Sequence, residues 1–484
     1  MCQQLCKAVS ECFSSLPLLS SAGLVNEAAS IEAPPLFETP NGRTRVSKTT
    51  IKSVRARRVW DSRGRPTVEA DVILRYGAVG RAIAPAGAST GSGEAVERRD
   101  GGPAFGGLDV MGAVNAVAAE IAPALKGMDV TDQAAIDAKL IELDGTENRS
   151  RLGGNALVAV SMAALHAAAA AEKMPLWQYL GPFRGGSAGD VLPLPEIQIF
   201  GGGAHAARRV DVQDFMVIAV GAKSFAQALE WTAEVYRAAG QIMADTGRLQ
   251  GVADEGGFWP AFETNEEALE TLVRAIERAG LKPGDEVAIS LDIASSEFGQ
   301  GGRYRLAQDG RELSSDELSG MLVDWVERYP IVSIEDPLAE DDPEGLTKFT
   351  WAVGKRVQVV GDDFLVTNAE RVRQAAEAKA CNAVLVKPNQ AGTMTEALAA
   401  LEAARETGFG AIVSARSGET EDATITHLGV GWGIKQLKVG SFSRSERMVK
   451  WNEGLRIAEA ISEAGEGLPA DGNLPPRSAF PWGH

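Results

Sequence analysis

Three acidic residues, Asp292, Glu335 and Asp362, close the consecutive apolar runs VAISLD, IVSIE and VQVVGD. One acid at a strand end is as often a solvated terminus or a helix cap, but three on successive strands bring oxygen donors together, and an all-oxygen set suits Mg²⁺ better than zinc. Two lysines, Lys387 and Lys438, end the later runs AVLVK and LK. A lone strand-end lysine ordinarily snorkels to water. Beside a metal and a second ammonium it is pushed toward the neutral amine, which is a base near neutral pH. The pair therefore predicts a division of labour in which one lysine removes a proton next to a carboxylate. The other, with the metal, holds the aci-enolate that results.

Further polar residues stand where backbone can approach a ligand. GVADEGGF places Glu255 between glycines, and GGGAHAARRVDVQDF brings His205 and Asp214 close behind a glycine run. His205 carries weight because the chain has only 4 histidines; His166 and His427 lie in apolar helix-like stretches and His484 is terminal. Arg416 and Ser417 follow the run AIVSA, and PAGASTGSGEA, which holds Ser89, reads as a mobile lid; as a phosphate loop that pattern is weak by itself.

These residues need a scaffold that gathers strand ends. VAISLDIA, IVSIEDP, VQVVGDD, AVLVKPN, AIVSARS and LKVGS read as short apolar strands, with helical stretches such as SFAQALEWTAEVYRAAGQIMADT and NEEALETLVRAIERAG between or before them. Repeated strand–helix units predict a parallel sheet closed into a (β/α)8 barrel, whose active site lies at the C-terminal strand ends. Ahead of it, IKSVRARRV and TVEADVILRY alternate like strands, and the Ala-rich segments between Met111 and Tyr179 have helical spacing. The expected organisation is an extension over 1–49, disordered or targeting, an α+β capping domain over 50–185, a barrel over 190–463 and an irregular tail over 464–484.

The net charge of −17 over 484 residues opposes binding to a nucleic-acid backbone, whereas a small anionic substrate is still accepted through metal ions or local cations. No apolar run reads as a bilayer span, so no membrane partner is expected. Cys2, Cys6 and Cys12 crowd the N-terminus and Cys381 stands alone. That is no disulfide framework, and it predicts a reducing, cytoplasmic setting.

Taken together, DSRGRPTVE, GASTG, LDGTENRS, DEGGF, LDIASSEF, YPIVSIEDPLAEDD, GDDFLVTN, KPNQAGT, RSGETED and RSER resemble enolase from Ile51 to Ile461. The resemblance implies a capping domain and a barrel whose first units are irregular, a hydro-lyase reaction, and a homodimer or larger ring. It implies Asp292, Glu335 and Asp362 as ligands of a first Mg²⁺ and Ser89 as the lid residue at a second, substrate-dependent one. Lys387 matches the base, Glu255 the acid that helps hydroxide leave, and Lys438 the carboxylate partner. Arg416 and Ser417 match the phosphate-binding pair.

The departures from the family pattern cluster. SHRSGET has become SARSGET, placing Ala415 where a histidine is expected; NGGSHA with QEF has become GGGAHA with QDF, giving Gly201 and Asp214; the lid carries Ala86 and Gly93 in place of larger residues. All are reductions in size around the phosphoryl end, the lid and the leaving hydroxyl. Three readings follow. The first is a dehydratase acting on a 2-phosphoglycerate with a substituted phosphoryl group, giving carboxyphosphonoenolpyruvate in phosphinate natural-product biosynthesis. The second is an ordinary glycolytic enolase making phosphoenolpyruvate. The third is a catalytically reduced enolase fold kept for binding.

Overall fold

The computed structural model describes residues 47–88, 90–183, 191–308, 310–464 and 469–483. Ser89 and the extension expected over 1–49, apart from residues 47–49, lie outside the described residues. Strands β1 (Ile51–Trp60), β2 (Pro66–Leu74) and β3 (Val79–Ile83) form an antiparallel sheet in that order. The β1–β2 turn is built on Asp61, whose Oδ1 accepts the backbone N–H groups of Arg63 and Arg65 at 2.8 and 2.9 Å.

Helices Met111–Leu125 and Gly154–Glu172 cover this sheet, and Gln133–Asp144 packs against the second of them. The alanine run of Gly154–Glu172 has a steric cause: a Cβ on Gly80 of β3 would lie 2.1 Å from the Ala163 carbonyl oxygen, so helix and sheet meet at backbone distance. By length and composition this 19-residue helix would also pass as a membrane span, which the sequence reading had not singled out, but its residues are almost all enclosed in the core.

The second layer is a closed eight-stranded barrel. Its strands are β4 (Leu194–Gly201), β5 (Asp214–Ile218) and β6 (Ala288–Asp292), then β10 (Ile331–Glu335), β11 (Gln358–Gly361), β12 (Ala383–Val386), β13 (Gly410–Ser414) and β14 (Gln436–Ser441). Between β6 and β10 the short strands β7 (Gly299–Gln300), β8 (Arg303–Arg305) and β9 (Glu312–Ser314) make a separate small sheet. The all-parallel expectation is corrected at β5, which runs antiparallel to both β4 and β6. The link from β4 to β5 holds one 3₁₀ turn, Gly203–Ala206, and no crossover helix, so the chain turns straight back. Helices Phe225–Asp245 and Asn265–Arg278 both fall between β5 and β6.

Strand alternation sets what lies beneath the site. Ser290, Ser333 and Gln436 stand two residues before Asp292, Glu335 and Lys438 and point the same way, into the barrel. They form a buried polar layer in which Ser290 Oγ donates to Glu196, Ser333 Oγ to Gln358 (3.3 Å), and Gln358 Nε2 to Gln436 Oε1 (2.7 Å). The opposite mouth is plugged by residues 469–483. Residues 469–483 contain only two single 3₁₀ turns, Arg477–Ala479 and Pro481–Gly483, yet Phe480 and Trp482 stack at 4.6 Å and bury themselves against Leu194, Ile218, Val220, Ala288 and Val332.

Candidate active site

The barrel brings the acids and lysines into one buried cluster. Lys438 Nζ donates to Asp292 Oδ2 at 3.0 Å and Glu335 Oε2 at 2.8 Å and lies 3.8 Å from Asp214 Oδ2, while Lys387 pairs with Asp362. Asp362 Oδ1 also accepts Gln390 Nε2 at 2.8 Å, and Asp292 Oδ2 accepts Gln213 Nε2 at 3.2 Å. Asp336, at φ 40°, turns its carboxylate onto the backbone N–H groups of Asp362 and Asp363 (2.9 and 2.8 Å), which fixes the loop that presents Asp362.

Among the protein's own charges alone, burial pushes both lysines toward the neutral amine, but Asp362 beside Lys387, and Asp292 with Glu335 beside Lys438, outweigh it and raise both. Glu335 rises well above the carboxylate range through burial and then through Asp292, whereas Asp362, despite its burial, is lowered by Lys387 and Arg416. The acids nonetheless fit a hard divalent cation: every donor is oxygen, and the buried Glu335 Oε1 accepts no hydrogen bond among the described residues.

A second group stands across the cavity. β4 ends in glycines, and the single 3₁₀ turn Gly203–Ala206 carries His205 inward. His205 Nδ1 lies 3.0 Å from Asp214 Oδ1, and its Nε2 lies 3.0 Å from Ser417 Oγ and 3.9 Å from Glu255 Oε1. Asp–His–Ser in this order looks like a nucleophile triad, but the imidazole is already charged. Burial opposes its protonation, yet Asp214 and Glu255 outweigh that and raise His205 to about 9, while Asp214, opposed by its own burial, falls to about 2. An imidazolium cannot take the Ser417 proton, so it donates to Ser417 and Asp214.

The raised value has a measurable sign. Because His205 titrates above its free value of about 6.5, its contribution to stability is fully present below that pH and is lost as pH rises through about 9. The urea midpoint is expected to fall across that window in the parent protein and to fall less in His205→Asn.

Of the departures, Gly201 is locked in place, since a Cβ there would lie 2.5 Å from the Ala253 Cβ. Gly93 has φ 103°, a conformation that disfavours a side chain, and a Cβ would meet the Arg371 guanidinium at 2.5 Å. Ala415 lines the cavity with Arg416 and Ser417, as does Ala88 of the lid.

Arg416 pairs with Glu94 at 3.0 Å and donates to Asn389 Oδ1 at 3.2 Å. The backbone that carries it is held from behind by Arg447, fully buried, which donates to the carbonyls of Arg416 (2.7 Å), Val439 (2.9 Å) and Ser417 (2.6 Å). Sequence reasoning missed Glu94, Gln213, Gln390 and Arg447. Each is polar inside a motif string, in GSGE, VQDF, KPNQ and RSER, and that was the only signal. Of the expected site residues, Asp292, Lys387, Lys438, Glu255, His205, Asp214, Arg416 and Ser417 line this one cavity, and Glu335 and Asp362 join it through their ion pairs with Lys438 and Lys387; Ser89 is outside the described residues.

Comparison with known families agrees with this architecture. Residues 51–180 match the enolase N-terminal domain and residues 189–468 the enolase C-terminal TIM barrel domain. A curated relative, "Enolase 1" of Desulfitobacterium hafniense (strain Y51), is 52% identical over 417 residues, covering 86% of this chain and 94% of its own. With both domain matches in chain order and strand ends that meet in a single acid–lysine cluster, the chain belongs to the enolase family.

Proposed function

We propose that this enolase-like hydro-lyase dehydrates a 2-phosphoglycerate whose phosphoryl group carries a further substituent, giving a carboxyphosphonoenolpyruvate-type product. The observation that carries the reading is Ala415, a methyl group on the cavity wall beside Arg416 and Ser417 where the family pattern has imidazole. Gly93, fixed by its backbone, extends the same loss of bulk to the lid.

In this reading Lys387 removes the proton next to the carboxylate and Lys438 neutralises that carboxylate. Arg416 and Ser417 hold the phosphoryl end. Glu255 protonates the departing hydroxide, so that one proton goes to Lys387 Nζ and water leaves from the adjacent carbon. The imidazolium of His205, 3.9 Å from Glu255 and anchored on Asp214, orients that acid. Asp292, Glu335 and Asp362 would hold Mg²⁺, which would offset the carboxylate charge that raises both lysines, leaving Lys387 able to act as base, and would supply Lewis-acid polarisation of the substrate carboxylate. Ser89 is assigned to a second ion that arrives with the substrate.

Dehydration of plain 2-phosphoglycerate is the second reading, favoured by the complete Lys387, Lys438, Glu255 and His205 set and by the name of the relative. A Mg²⁺-dependent assay on both substrates decides. The proposal expects turnover of the phosphoryl-substituted 2-phosphoglycerate and at least ~10²-fold slower formation of phosphoenolpyruvate, the scale of one lost positioned acid–base group. Rapid formation of phosphoenolpyruvate overturns it.

A further inference from the structure

Glu94 is the only charged side chain between Ala84 and Ala95, the segment that forms the lid, and it is buried to 7% exposure. Its Oε2 accepts Arg416 Nη1 at 3.0 Å, and its Oε1 accepts the Gly91 backbone N–H at 2.9 Å, Gln390 Nε2 at 3.3 Å and Arg416 Nη2 at 3.4 Å. The same Gln390 amide donates to Asp362 at 2.8 Å, so one carboxylate ties the lid to both the guanidinium and an acid of the cation cluster. Arg416 lines the cavity and Glu94 does not, which puts the guanidinium between the carboxylate and the space an anion enters.

Other contacts of the described lid residues lie away from Arg416, among them Arg63, which donates to the carbonyls of Gly87 at 3.1 Å and Ala86 at 3.0 Å. Ser92 N and Oγ donate to Glu340 at 2.9 Å each, Arg371 donates to the Ser92 carbonyl at 2.9 Å, and Ala86 exchanges backbone hydrogen bonds with Gly418. None of them reaches the cavity.

We propose that Glu94 is a positioning residue through which lid closure aims the Arg416 guanidinium, making closure and capture of the anionic end of the substrate one coupled event. The inference rests on Arg416 being the phosphoryl contact. Glu94 supports that contact rather than competing with it, because it approaches from behind and is anchored to its own lid by the Gly91 N–H. A carboxylate–guanidinium pair fixes orientation as well as charge, and an arginine already aimed when the anion arrives spares the ordering cost of binding.

Glu94→Gln keeps the shape and removes the charge. It is expected to raise KM by about tenfold or more with kcat within about threefold, the pattern of lost binding rather than lost chemistry. Glu94→Asp, which keeps the charge, is expected to recover most of that loss. In an Arg416→Ala background Glu94→Gln should change little further, since the two act as a unit.

Hydrogen exchange gives a reading that needs no turnover. Saturating inorganic phosphate is expected to slow exchange of the Gly91–Ala95 amides in the parent protein and not in Glu94→Gln. These arms read the same whether 2-phosphoglycerate or a substituted glycerate is the substrate. Equal phosphate protection in parent and Glu94→Gln, no protection in either, or a full KM effect of Glu94→Gln in the Arg416→Ala background overturns the proposal.

Discussion

Lys387→Met is expected to lower kcat by ~10²–10⁴-fold, the range for removing a positioned base, while binding Mg²⁺ more tightly than the parent protein. The two effects have one origin. Lys387 is the ion-pair partner of Asp362, and a cation that takes Asp362 has to break that pair. Methionine fills much the same volume without the charge, so the carboxylate is left available. Turnover followed on the true substrate gives the first effect and calorimetric titration with Mg²⁺ gives the second. An active variant would remove Lys387 from the chemistry, and an inactive one with weakened Mg²⁺ binding would show that the pair organises the acids instead of competing for them.

Arg447→Met is expected to be the most destabilising single change near the site. It strips a fully buried guanidinium from three backbone carbonyls that have no access to water. Leaving buried acceptors unmet costs ~1–3 kcal/mol each, so a loss of about 3–5 kcal/mol is expected, comparable to breaking a buried charged pair. The carbonyls of Arg416 and Ser417 are two of the three, so kcat/KM should fall together with the urea midpoint. Arg447→Lys, which can reach one carbonyl at a time, should restore part of the stability. Unchanged stability in Arg447→Met would mean the Arg416–Ser417 turn is held well enough by Glu419, whose Oε1 accepts the Arg416 N–H at 3.0 Å, and by Ser62 Oγ, which donates to the Ser417 carbonyl at 3.3 Å.

Much of the scaffold was legible because six barrel strands are short apolar runs ending in a charge. β4 and β5 were not. β4 places Glu196 and Gln198 on the barrel interior, which breaks the apolar signature, and β5 spans only Asp214–Ile218 with its direction set by a short loop rather than by its residues. The strand-end site residues were visible as types, but the charge state of the lysines depends on which carboxylate each one meets. Lys438 and Asp292 are 146 residues apart in the chain. Supporting partners were the least visible: Glu94 and Arg416 are separated by 322 residues, and nothing local to either predicts that they meet.

The plug of Phe480 and Trp482 has a consequence for biosynthesis. β14 completes the ring by pairing with β4, and the plug then seats on strands β4, β5, β6 and β10. Both steps use residues that follow β13 in the chain. Until these emerge the nascent barrel is an open sheet with β4 and β13 as bare edges and its floor apolar and uncovered, the condition in which strands find wrong partners. Ring closure therefore waits on residues that follow β13, and a chain cut between β13 and β14 keeps most of its active-site residues in sequence but has no finished barrel to gather them.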